Sequence, residues 1–132
     1  MNCPEHYFDD LLLFFEGWPL ELGLYQGLYE LLDSARLPGV SVHVQKSQLS
    51  FYGRHLFAAA SLPLRRKKSW PEHCLVVTVG LNRRLDSPRV AAAVEPYPGR
   101  WTHHILVSEP EQLDEELLAW LREAYEFSES KR

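Results

Sequence analysis

From Pro4 to Phe15 the apolar side chains Tyr7, Phe8, Leu11, Leu12, Phe14 and Phe15 recur at three- and four-residue steps, which predicts a helix with one wide apolar face. Gly17 ends it. Pro19 suits the first turn of a second helix, whose Leu24, Leu28, Leu31 and Leu32 form one stripe with Tyr25 and Tyr29 beside it. Gly23 and Gly27, four apart on that helix, each cost about 1 kcal/mol in propensity, so close approach of another backbone is expected there. After the turn signal Pro38-Gly39 the pattern changes to strict alternation. Val40, Val42 and Val44 face one way and Ser41, His43 and Gln45 the other, as in a strand buried on one face. Lys46-Ser47 fits a hairpin loop, and Leu49 and Phe51 then alternate with Gln48, Ser50 and Tyr52 up to a Gly53-Arg54 turn. A third strand is expected from His55 to about Ser61. A fourth, from His73 to Leu81, is apolar at Leu75, Val76, Val77 and Val79, as for a central strand covered on both faces.

Ser87-Pro88 has the form of an N-cap followed by proline at the first helical position, predicting a short helix through Arg89 to Val94 that Pro96 and Pro98 stop. Trp101 to Val107 is the last strand. Ser108 and Glu111 have capping-box spacing, and the amphipathic pattern Leu113, Leu117, Trp120, Leu121, Ala124, Tyr125 predicts a C-terminal helix. The expected fold class is α+β. An antiparallel sheet of four to five strands has two N-terminal helices and a long C-terminal helix packed mainly on one face, leaving a partly polar face opposite.

The 132 residues, 45% of them hydrophobic, suit one globular domain spanning 1–132. Cys3 and Cys74 are far apart, form no Cys-x-x-Cys pair and follow no secretory signal, so the expected setting is the reducing cytoplasm. The longest apolar run near the N-terminus, Leu11 to Phe15, is far short of a membrane span, so no membrane role is expected.

The net charge is −4, which argues mildly against a general nucleic-acid binder, but the charges are segregated. Residues 1–45 hold seven acids and one base, residues 46–100 three acids and ten bases, and residues 101–132 eight acids and three bases. A basic middle lies between acidic ends. Two explanations stand side by side: acidic helices happen to be joined by basic loops, or the central segment builds an anion-facing surface. The run Arg65-Arg66-Lys67-Lys68 beside Trp70 has the residue types for nucleic acid, although a solvated loop is the simpler expectation.

Alternation also sorts the adjacent pair His103 and His104. Successive strand residues face opposite ways, so His103 joins Trp101, Ile105 and Val107, as a structural residue would, and His104 joins Thr102 on the more polar side. If His43 and His104 share a face, the polar side carries two imidazoles able to act as general base, metal ligand or phosphate partner, next to Gln45, Lys46 and Ser50. A second cluster, Arg83, Arg84, Asp86 and Arg89, surrounds the expected helix start at Ser87, where free backbone N–H groups would favour an anion. Equally, Asp86 and Arg89 could form a structural clamp. No His-Glu-x-x-His or Cys-x-x-Cys spacing marks a metal site, and no Gly-x-Ser-x-Gly elbow marks a hydrolase nucleophile.

The segments Val44-Gln45-Lys46-Ser47-Gln48-Leu49-Ser50-Phe51, Leu85-Asp86-Ser87-Pro88-Arg89 and Glu95-Pro96-Tyr97-Pro98-Gly99-Arg100-Trp101-Thr102-His103-His104 resemble a bacterial family, domain of unknown function 5655. Phe15-Glu16-Gly17 and Leu113-Asp114-Glu115-Glu116-Leu117 extend the resemblance over nearly the whole chain. It implies no activity, cofactor or catalytic residue. More loosely, the order of helices and sheet is similar to small YdhG-like domains, one branch of which is linked to iron handling, but no acidic ridge marks the strands here.

The leading expectation is a cytoplasmic binding module that takes an anionic ligand or partner through Lys46, Arg83, Arg84, Arg89 and Arg100, with His43, Gln45, Ser50 and His104 supplying hydrogen bonds. No cofactor or metal is implied. A small hydrolase-like enzyme using His104 as general base beside Gln45 and Ser50 is the rival, and a protein-interaction or homodimer domain built on exposed apolar residues is a third.

Overall fold

The computed structural model describes residues 1–132 and arranges them as two helices, a six-stranded sheet and a closing helix. Helix α1 is Tyr7–Phe14 and α2 is Pro19–Ser34; the strands are β1 Ser41–Val44, β2 Leu49–Tyr52, β3 Leu56–Ser61, β4 Leu75–Leu81, β5 Val90–Tyr97 and β6 Arg100–Val107. A single 3-10 turn, Pro110–Gln112, leads into α3, Glu115–Glu129. The sheet is antiparallel throughout in the order β1-β2-β3-β4-β6-β5. No helix is long and apolar enough to cross a membrane.

Strand register assigns the faces. Val42, Phe51, Ala58, Val79, His103 and Ala93 are successive partners across the sheet, as are Val44, Leu49, Ala60, Val77 and Ile105. This inner face carries the core: α2 stacks Tyr25 on Phe51 at 6.3 Å, and α3 lies against β3 and β4 with Leu117, Leu121 and Ala124 fully buried. Removing a side chain such as Leu121 from water stabilises the fold by roughly 1.5–3 kcal/mol. Asp114 caps α3 by accepting from Leu117 N–H at 3.0 Å, and Tyr125 donates to Pro38 O at 2.6 Å, tying the helix to the turn before β1.

Four local expectations change. The segment 87–94, expected to be a short helix, instead leads into edge strand β5. Its alanine run and Ser-Pro start favour a helix locally, but the Pro98-Gly99 turn, with Gly99 at φ 75°, returns the chain as a hairpin that satisfies the backbone of β6. The capping box falls one residue later than Ser108, on Glu109 and Gln112. Gly27 is close-packed, but against the side chain of Leu113 and not a backbone, and Gly23 faces open space. Finally, of the wide apolar face expected between Tyr7 and Phe15 only Leu11 and, at the end of the helix, Phe15 are buried; Phe8 and Leu12 are exposed because α1 lies at the sheet edge beside four-residue β1.

Candidate functional site

His43, Ser50, Ala59, Thr78, His104 and Ala92 are successive register partners on the outer face, from β1 to β5. His43 and His104 therefore do share a face. They stand four strand spacings apart, roughly 19 Å at about 4.8 Å per step, too far to act on one atom. His43 is exposed, with Nε2 3.2 Å from Ser41 Oγ and its ring edge-on to Tyr52. Ser50 is fully buried: its Oγ donates to Gln45 Oε1 at 2.6 Å and accepts from Gln48 Nε2 at 2.8 Å, so the three side chains close the β1–β2 hairpin by satisfying one another. Lys46 is exposed at the tip. Ser50 is also three strands from His104, so those two groups are not brought together.

His104 instead meets Thr78, with Nδ1 3.0 Å from Oγ1, and burial lowers its pKa below the ordinary value. His103, one residue earlier, points into the core. It is wholly buried, its Nε2 accepts from Leu85 N–H at 2.9 Å, and burial pushes its pKa down too. A fully desolvated imidazole is most stable neutral, so His103 holds the β4–β5 connection in place.

The arginines separate in the same way. Arg83 forms a two-pronged pair with Glu123 of α3, both contacts at 2.8 Å. Arg89, with a side chain only 16% exposed, donates to Asp114 Oδ1 at 2.9 Å, Glu116 Oε1 at 3.0 Å and Gln112 O at 2.6 Å, and its guanidinium stands over Trp120. These two arginines clamp α3 to the sheet through carboxylate partners, Arg89 largely buried and Arg83 with about half of its side chain still exposed. Arg84 lies over the Trp101 ring at 5.7 Å, and Asp86 is exposed in the same connection. The run Arg65 to Lys68 is exposed in the β3–β4 loop, where Arg66 donates to Trp70 O.

Arg100 is placed differently. It borders a trough of about 300 Å³ on the outer face, floored by Ala59, Thr78, Gly80 and Thr102 and walled by Gln48, Leu56, Tyr97 and Phe127. Arg100 lies over Tyr97 at 6.0 Å, and Lys131, beyond the end of α3, comes to the same rim with its ammonium 4.5 Å from the Phe127 ring centre. Neither cation has an ion-pair partner, and none of the lining residues is acidic. Burial, and then the charge of Arg100, lowers the pKa of Lys131. The trough thus gathers two cations, two threonine hydroxyls and an amide over aromatic walls. Thr78 is the link to His104.

Over residues 22–128 the sequence matches the family described as Domain of unknown function (DUF5655). The chain belongs to the DUF5655 family. No curated protein and no solved structure matches it. The matched span of this DUF5655 domain contains the whole sheet, with Thr78, Arg100, Thr102 and His104, while α1 and Lys131 lie outside it. Lys131, Thr78 and Thr102 are trough residues that sequence patterns did not single out: Lys131 sits in a charged tail, and only strand register brings the threonines together. Glu21 was missed as well. It is fully buried on α2, with Oε2 3.2 Å from His73 Nδ1, and ties that helix to the start of β4.

Proposed function

We propose that this DUF5655 domain is a cytoplasmic binding module whose outer-face trough takes a small anionic ligand, a phosphate or carboxylate joined to a flat or apolar group. One observation carries the proposal: Arg100 and Lys131 stand at one rim without a carboxylate between them. Like charges held together lower each other's stability, and a bound anion relieves the repulsion while gaining charge-assisted hydrogen bonds. Thr78, Thr102 and Gln48 can orient the anion, and Tyr97 and Phe127 can flank its apolar part. The volume is at the small end of ligand pockets. The cytoplasmic setting is supported by Cys3 and Cys74 both being free thiols. A thermal-shift panel of phosphate, nucleotides, aromatic carboxylates and short oligonucleotides at low salt should raise the midpoint with the small anions, and Arg100→Ala with Lys131→Ala should abolish the rise. No shift from any small anion would sink the proposal.

A hydrolytic reading draws on a single pair. His104 Nδ1 lies within hydrogen-bond reach of Thr78 Oγ1, and a histidine with a lowered pKa is in its base form at neutral pH. Turnover of aryl phosphates or aryl esters that His104→Ala abolishes would establish it; unchanged substrate after prolonged incubation would dismiss it.

A further inference from the structure

A cavity of about 790 Å³ lies away from the sheet, between α1, α2 and the N-terminal segment. Tyr7 and Phe8 of α1 and Tyr29 of α2 form its aromatic wall. The Tyr7 ring centre is 5.9 Å from that of Phe8 and 6.0 Å from that of Tyr29, with planes inclined at 56° and 38°, so the rings meet at angles instead of stacking flat. Hydrogen bonds hold two of them: Tyr7 and Tyr25 hydroxyls are 2.6 Å apart, and Tyr29 OH is 3.2 Å from Cys3 Sγ. Burial pushes the Tyr7 phenol up to about 12, so that wall stays neutral at any ordinary pH.

The charges around this cleft are of one sign. Asp9 and Glu30 line it, no lysine or arginine does, and its remaining ionisable nitrogen, His6, is 3.6 Å from Glu5. An anion would be repelled. A purely apolar ligand gains nothing from the carboxylates. A bare divalent ion needs six or more oxygen ligands, and no group of three or more His, Cys, Asp or Glu side chains is placed to hold a metal. An ammonium wrapped in carbon suits both parts of the wall, because the negative π faces and the carboxylates attract the charge while the rings pack against the alkyl groups.

We propose that the cleft between α1 and α2 is an aromatic cage for an alkylammonium group, built by Tyr7, Phe8 and Tyr29 and biased toward cations by Asp9 and Glu30. Two cage residues, Tyr7 and Phe8, precede the span matched by the family, so the cage belongs to this chain's N-terminal helix and is independent of the outer-face trough.

Calorimetric titration of the full chain with choline, with its neutral carbon isostere and with a trimethyl-lysine peptide tests the cage. At least one cation should bind about tenfold more tightly than the isostere, and their ratio distinguishes a free amine from a peptide-borne one. Phe8→Leu keeps the bulk, removes the π face and should weaken the cation about fivefold. Because Phe8 is 77% exposed, that variant should fold normally. Asp9→Asn with Glu30→Gln should narrow the preference for charge. Absence of cation binding, equal binding of cation and isostere, or an unchanged affinity in Phe8→Leu would overturn the proposal.

Discussion

The outer-face trough and the α1–α2 cleft are both lined by aromatic residues, yet they have opposite electrostatic character. The trough carries Arg100 and Lys131 and no acid; the cleft carries Asp9 and Glu30 and no lysine or arginine. The difference follows from which part of the chain builds each. The cleft is made within the first 45 residues, with seven acids and one base, whereas the trough is built mainly from the basic middle and completed by the tail beyond α3. A modest net charge of −4 therefore conceals two local fields of opposite sign. The comparison also shows that charge counts locate a field only after pairing is known, since Arg83 and Arg89 belong to the same basic segment as Arg100 and are consumed by α3.

The largest expected effect separates clamp from site. Arg89→Ala leaves Asp114 and Glu116 without their cation, and because both acids are about half exposed and stay hydrated the cost should be that of lost charge-assisted hydrogen bonds, about 2 kcal/mol in denaturant unfolding. Anion affinity at the trough should hardly change. A stable Arg89→Ala protein that no longer binds anions would move the site back to the arginine cluster. Next in size, Arg100→Glu with Lys131→Glu should weaken anion binding by at least about tenfold while leaving choline binding at the cleft intact, as read by paired titrations. Loss of both together would mean that the two regions are not independent.

Acid should act through the buried histidine of the inner face. The folded-state pKa of His103 is lowered by burial, so below the unfolded value of about 6.5 the unfolded chain takes up a proton that the native state refuses. Stability is thus fully present above that pH and declines as pH falls below it, with His104 adding in the same direction. His103→Gln, whose amide oxygen can still accept from Leu85 N–H, should flatten the slope in urea melts recorded between neutral and acid pH. The smallest effect is expected for Thr78→Val, which removes the partner of His104 Nδ1 and a polar group from the trough floor. It should cost about 1 kcal/mol or less in stability and weaken anion binding only a few-fold, measured by the same titrations.

Much of the fold was legible because local pattern and tertiary environment agree. The alternation Val40, Val42, Val44 reports one buried face, the apolar run from Leu75 to Val79 reports a central strand, and the stripes of α2 and α3 report helices packed on one side. β5 was not legible, since Ala91, Ala92 and Ala93 prefer a helix and only pairing with β6 overrides them. The site was legible in part. Alternation separates His104 from His103, but the distance from His43 depends on strand order, which places β2, β3 and β4 between them. Lys131 reaches the trough only because α3 ends beside Arg100, a relation between residues far apart in the chain that no local pattern encodes.

Backbone amide shifts during titration with phenyl phosphate test the central claim most directly. The account expects saturable shifts centred on Thr78, Arg100, Thr102 and Lys131, lost in the Arg100→Ala, Lys131→Ala protein and absent from Tyr7, Phe8 and Tyr29. Shifts centred on Arg83, Arg84 and Arg89, or none at saturating ligand and low salt, would contradict it.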